Sequence, residues 1–236
     1  MGLVDLNDNN DIFEAKGMGI DMDALSTILD TKIIAISRGN YNENLIGSVE
    51  ALYRAGIRAV EVTFEQDKGL EMTADSIKAL SERFYGRMAI GAGTVLTLEQ
   101  LECAHSCGAS YIVSPNTDQE IISATKKLGL VSIPGAMTPT EIVTAHKLGA
   151  DIVKVFPAGL LGAKYFKALR SPLPNIRLAA VAGITLSNLA DFAAAGACAF
   201  GISSGLFKTD MIADGRFSEI ERIAREYSNR SMQKND

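Results

Sequence analysis

Two charged residues stand in strand-like surroundings where a soluble chain seldom places charge. Lys154 lies in Asp151-Ile-Val-Lys-Val-Phe-Pro157 and Glu61 in Ala59-Val-Glu-Val-Thr63, each flanked by valines. A lysine pointing into a protein interior loses solvation, which favours the neutral amine and makes it a nucleophile toward a carbonyl. Buried carboxylates are rare unless paired, and Lys154 is the natural partner for Glu61. As a pair they suit a Schiff-base amine served by a general acid/base. The same residues also fit a lysine that snorkels to a rim, or an ion pair that only supports the fold. Local context leaves these readings open.

The elements that must position the pair announce themselves by repetition. Thr97-Leu-Glu-Gln100, Thr117-Asp-Gln-Glu120 and Thr138-Pro-Thr-Glu141 match the capping box that opens a helix, the last with Pro139 at the first helical position. Gly108, Gly129 and Gly149 follow as helix terminators, and a short apolar run comes after each. Runs so short and rich in β-branched residues read as strands buried on both faces. Strands are predicted near 33–36, 59–63, 88–91, 111–113, 130–133, 152–155, 177–181 and 198–201, alternating with helices, with a final amphipathic helix over Phe217–Tyr227. Eight such units in one domain predict an α/β fold of the (β/α)8 TIM-barrel type. A doubly wound open sheet is the alternative, but its G-x-G-x-x-G turn is replaced here by Ser37-Arg38-Gly39-Asn40. The barrel domain is placed at 25–227, between an acidic N-terminal leader (1–24), read as a solvated and poorly ordered tail, and a polar C-terminal tail (228–236).

A barrel gathers its active site at the C-terminal strand ends. Those ends carry Arg38, Glu61, Thr94, Pro115, Lys154 and, on the last two loops, Ala182-Gly183 and Ser203-Ser204. Small residues there let backbone approach an anion, and the amides of a following helix would attract phosphate. Cys103, His105 and Cys107 do not form a metal site, because His105 is turned about 200° from Cys103 on a helix. His146 falls mid-helix, Cys198 falls in a strand, and neither a metal nor a cofactor is expected.

Composition narrows the class further. Hydrophobic residues make up 47% of the 236 and charged residues 22%, which excludes a disordered or collagen-like chain. No apolar run approaches the roughly 18–20 residues of a membrane span, so no membrane association is expected. The net charge of −5 resides in the first 30 residues, which hold seven acids and one lysine; the remainder is near neutral and shows no basic surface for nucleic acid. Three cysteines and the lack of a basic-then-apolar start predict a cytoplasmic protein.

Glu61-Val-Thr63, Gly91-Ala-Gly-Thr-Val95, Ser114-Pro-Asn116, Ile133-Pro-Gly135 and Val153-Lys-Val-Phe-Pro-Ala158, in that order, resemble the 2-keto-3-deoxy-6-phosphogluconate / 4-hydroxy-2-oxoglutarate aldolase family over about residues 25–208. The resemblance implies a cofactor-independent class I aldolase, usually a homotrimer, that cleaves a 2-keto-3-deoxy sugar acid phosphate to pyruvate and glyceraldehyde 3-phosphate. It implies a Schiff base on Lys154 and proton transfer by Glu61. Thr94 would contact the pyruvyl carboxylate, and Pro115 and Phe156 would wall the pocket.

Three positions depart from the family pattern. Glu65 stands where the better-known branch has a carboxylate-binding arginine, and Arg38 is the substitute at the end of the first strand. Ala182 replaces the first of two glycines in one phosphate loop, and Ser203 replaces a glycine in the other. The galactonate epimer and 4-hydroxy-2-oxoglutarate are alternative substrates. A phosphosugar isomerase or epimerase, which would need no lysine in the sixth strand, and a non-catalytic sugar-acid binder are alternatives of a different class.

Overall fold

A computed structural model of the chain describes residues 23–39, 41 and 44–233. The acidic leader falls outside them up to residue 22, as do residues 234–236 of the tail. All strand pairing is parallel, with β1 (Ile33–Ser37), β2 (Ala59–Thr63), β3 (Ala89–Gly93), β4 (Tyr111–Val113) and β5 (Val131–Ile133) neighbouring in sequence order. On the other side of β1 stand β9 (Ala199–Ile202), β8 (Leu178–Val181), β7 (Val153–Val155) and β6 (Gly135–Ala136). Each predicted strand is present within two residues.

The nine segments make eight staves. Pro134 has no N–H to donate and separates β5 from β6, so one stave pairs with β4 below the proline and with β7 above it. Lys154 N donates to Pro134 O at 2.8 Å and Asp151 N to Ser132 O at 3.0 Å, which closes the barrel across this break.

Alternation along the strands separates two apolar layers. Val60, Val62, Ile90, Ile112, Val153 and Val155 pack outward against the helices. Ile34, Ile36, Ala59, Ala89, Tyr111, Val113 and Ile152 fill the barrel interior. The strands read as continuous apolar runs because both of their faces are covered.

The helices are α1 (Ala24–Thr31), α2 (Asn44–Arg54), α3 (Glu71–Arg83), α4 (Leu98–Ser106), α5 (Gln119–Lys127), α6 (Pro139–Lys147), α7 (Ala158–Arg170), α8 (Leu189–Ala194), α9 (Thr209–Ala213) and α10 (Phe217–Met232). Thr97 and Thr138 form the predicted capping boxes with Gln100 and Glu141. At the third site the cap is Asp118, whose carboxylate accepts from the amides of Glu120 and Ile121, while Thr117 Oγ1 donates to Gly135 O at 2.9 Å. A carboxylate at the second position outcompetes the hydroxyl because it reaches both orphan amides. The last helix runs five residues beyond Tyr227, and Ser231 within that extension is buried.

The helix α1 was absent from the sequence expectation. Asp23 caps it, and Ile28 is fully buried among the inward-facing residues Ile34, Ala59 and Ala89, so α1 covers the N-terminal mouth of the barrel. Burying that isoleucine contributes about 2 kcal/mol. Among the described residues no helix is long and apolar enough to cross a membrane.

Candidate active site

The alternation that sends Val60 and Val62 outward turns Glu61 inward, and the valines flanking Lys154 do the same for its side chain. The two residues are 3% and 6% exposed and stand on opposite sides of the barrel, on β2 and β7. They share a cavity of about 410 Å³ with Arg38, Phe156, Ala182 and Gly183, whose rim includes Ser203 and Ser204. Eight of the ten sequence-predicted site residues therefore line one cavity.

Burial dominates the electrostatics. It raises the Glu61 carboxyl above the usual range, opposed by the charges of Lys154 and Arg38. It lowers the Lys154 ammonium, opposed by Glu61 and reinforced by Arg38. Each partner is thus moved toward its neutral form, as an amine that must attack a carbonyl requires. Lys154 Nζ lies 5.0 Å from the centroid of the Phe156 ring, whose face steadies the amine when it is charged.

Two glycines make room for this arrangement. A Cβ on Gly93 would lie 1.8 Å from Glu61 Oε1, and one on Gly91 would lie 2.4 Å from ring carbons of Tyr111. Thr94, directly after Gly93, takes a positive φ of 57°, an uncommon conformation for a threonine. Gln66 Nε2 donates to Thr94 O at 2.9 Å, and Gln100 Nε2 donates to Gln66 Oε1 at 3.1 Å, so a short amide relay holds the strained turn to the start of α4. Arg38 Nη2 approaches Thr94 Oγ1 at 3.4 Å, which brings the arginine and the threonine to the same edge of the mouth. Glu65 pairs with Lys68 and accepts from the Tyr41 hydroxyl at 3.2 Å.

The anion loops depart from the sequence expectation in one respect. Ala182 and Gly183 have φ of 71° and 74°, forming a turn of exposed backbone, but no helix begins there. Thr185 N is taken by Asn188 Oδ1 at 2.8 Å, Asn188 Nδ2 donates to Gly183 O at 2.8 Å, and α8 starts only at Leu189. These loops therefore present a left-handed turn and the Ser203–Ser204 hydroxyls to the cavity rather than a helix terminus.

Pro115 stands away from the cavity lining. Its carbonyl sits against Gly135, where a Cβ would come within 2.2 Å. Sequence reasoning missed Val181 and Tyr227, which line the cavity, and Gly159, whose Cα closely approaches the Ala182–Gly183 turn. The inward register of Val181, two residues beyond Ala179, was available as a signal; the arrival of Tyr227 from α10 was not. Among the described residues no group of three His, Cys, Asp or Glu could hold a metal ion. Burial raises the Cys103 thiol and pushes Cys198 up to about 11, so both remain protonated.

With this geometry established, comparison with known proteins is specific. The family described as KDPG and KHG aldolase matches residues 25–223. A probable 2-dehydro-3-deoxy-6-phosphogalactonate aldolase from Rhizobium meliloti (strain 1021) is 37% identical over 83% of this chain and 92% of that protein. A 2-dehydro-3-deoxy-phosphogluconate aldolase from Treponema pallidum (strain Nichols) is 34% identical over 78% of this chain and 86% of that protein. A solved structure described as native KDPGal superimposes with a TM-score of 0.75 at 34% identity, covering 84% of this chain and 94% of that one. The chain belongs to the KDPG and KHG aldolase family.

Proposed function

We propose that the chain is a class I aldolase that cleaves 2-keto-3-deoxy-6-phosphogluconate reversibly to pyruvate and glyceraldehyde 3-phosphate. The observation that carries this reading is the buried Lys154, lowered toward the free amine and facing Glu61 across a cavity open at the C-terminal strand ends. The amine adds to the C2 carbonyl, and Glu61 supplies and removes the protons that expel water and leave a protonated imine. As the C3–C4 bond breaks, its electron pair moves into the imine, forming an enamine. The C4 hydroxyl proton passes to Glu61 and the aldehyde departs. Reprotonation of the enamine at C3 and addition of water release pyruvate and free Lys154.

Arg38 and Thr94 take the substrate carboxylate, since they meet at one edge of the mouth and the arginine fork matches a carboxylate bidentately. Phe156 forms the apolar wall beside Lys154, whereas Pro115, packed on Gly135 away from the cavity lining, supports the rim from outside. Ala182, Gly183, Ser203 and Ser204 bind the phosphate. No cofactor is needed, because the protonated imine is itself the electron sink.

The galactonate epimer is a second reading, favoured by the Rhizobium relative and the KDPGal structure. Coupling pyruvate release to a dehydrogenase and comparing kcat/KM for the two epimers and for 4-hydroxy-2-oxoglutarate separates these substrates. Equal kcat/KM with and without the phosphate overturns the anion-loop assignment, and absence of pyruvate release overturns the aldolase. The enzyme is cytoplasmic and homotrimeric in this reading. Exposed Met137 and Leu160, the latter 88% exposed, supply apolar surface for a subunit contact on the β6–β7 rim. Sedimentation equilibrium at the monomer mass overturns the trimer.

A further inference from the structure

The cavity is lined by side chains from β1, β2 and β7 and by two loops, 182–188 and 203–208, that follow β8 and β9. One lining side chain comes from none of these. It is Tyr227 of α10, and the proposed reaction gives it no part.

Helical spacing brings the tyrosine there. Ile220, Ala224, Tyr227 and Ser231 recur three or four residues apart and form the buried face of α10, which packs against α2 and α8. Tyr227 is 4% exposed, and for packing alone a phenylalanine would complete that face. The hydroxyl lies between the two loops. It is 2.5 Å from where a Cβ on Gly205 would be, and Gly205 has no positive φ. Close approach of the phenol is what the missing side chain serves. From the other loop, the Leu186 amide donates to the hydroxyl oxygen.

That bond leaves the hydroxyl proton unspent. A phenol oxygen that accepts from an amide still has its own O–H to give, and among the described residues no protein acceptor takes it. Burial raises the phenol above its usual range, so the proton stays in place across the working pH of an enzyme. A buried tyrosine hydroxyl ordinarily has a partner, because leaving the donor unmet costs its desolvation. Around it the loops present the left-handed Ala182–Gly183 turn and the Ser203 and Ser204 hydroxyls, which also donate. The acceptor that such a group of donors can share is an anion.

We propose that the Tyr227 hydroxyl binds the phosphoryl group of the substrate, donating to one of its oxygens from between the two loops, so that α10 helps select a phosphorylated keto acid. The inference deepens the aldolase reading and rests on it for the identity of the ligand.

The test is Tyr227→Phe, which keeps the ring in the helix face and removes the donor. Exchange of the pyruvate methyl protons in deuterated water needs the imine and the Glu61 base but no phosphate, so it reads the pyruvate half alone. For the phosphorylated keto acid, kcat/KM should fall about tenfold more than for 4-hydroxy-2-oxoglutarate or for the exchange, because a hydrogen bond to a charged group is lost. Separately, phosphorus NMR titration of the protein with glycerol 3-phosphate, which involves no turnover, should show Kd raised by about the same factor. Equal losses on all substrates, an unmoved Kd, or no saturable binding of glycerol 3-phosphate to the unsubstituted protein would overturn the proposal and leave the phenol a packing residue of α10. If the unsubstituted protein releases no pyruvate, the aldolase reading fails, and the glycerol 3-phosphate titration still decides the contact.

Discussion

Glu61 occupies the space that a side chain on Gly93 would need, its Oε1 lying 1.8 Å from the position of a Cβ there. The two residues sit on adjacent parallel strands, and the glycine has an ordinary strand conformation. Close approach, rather than backbone freedom, is what requires it. Gly93→Ala should push the carboxylate out of line with Lys154 and lower kcat by about 100-fold or more, since misplacing a reacting group by 1 Å has that effect. Steady-state pyruvate release with a melting curve of the variant checks this. Near-normal kcat in a folded variant would contradict the assignment of Glu61.

Arg38 acts on both members of the pair in a predictable direction. Its positive charge lowers the Glu61 carboxyl and also lowers the Lys154 ammonium. Arg38→Met should raise both. The proposed reaction uses ionised Glu61 and free Lys154 amine, so each change should move the acidic limb of the pH–rate profile to higher pH. KM for pyruvate should rise about tenfold or more with loss of the charged hydrogen bonds. A limb that stays in place, or moves down, would exclude this role.

The substrate's two halves should be separable by mutation. Gly159 N donates to Ala182 O at 2.8 Å, and a Cβ on Gly159 would lie 2.8 Å from the Gly183 Cα. Gly159→Ala must therefore displace the anion turn while leaving the strands that carry Lys154 and Glu61 untouched. KM for the phosphorylated keto acid should rise about tenfold, with exchange of pyruvate methyl protons unaltered. Equal effects on both measurements would show that the turn serves the pyruvate half as well.

Stability away from the mouth offers a control. Thr138 caps α6 and Glu141 Oε2 accepts from Thr138 N at 2.7 Å. Thr138→Ala should lower stability by about 1 kcal/mol, which for a chain of this length is about 2–4 °C in Tm, with kcat and KM unchanged. Calorimetry and the coupled assay together check it.

What the sequence made legible follows from the range of the interactions involved. Strands announced themselves because β-branched runs buried on both faces, each following a helix-ending glycine, have few other uses. Lys154 and Glu61 were visible because charge between valines is conspicuous, and their strand-end positions followed from the fold. The cap at α5 was misplaced because Thr117 and Asp118 both offer an acceptor, and only the path of the chain decides between them. The helix α1 was missed at the start of the barrel domain, next to the acidic leader, since it buries only Ala24 and Ile28. The Tyr111–Gly91 and Glu61–Gly93 contacts depend on register between strands about 20–30 residues apart, which no local pattern encodes.

The proposed reaction begins when Lys154 forms an imine with a 2-keto acid. Incubation with pyruvate and borohydride, followed by peptide mass analysis of the unsubstituted protein and of Lys154→Ala, tests it directly. A reduced pyruvate adduct is expected on the peptide containing Lys154 and none on that peptide in the folded variant. No adduct on the unsubstituted protein, or one that persists in Lys154→Ala, would contradict it.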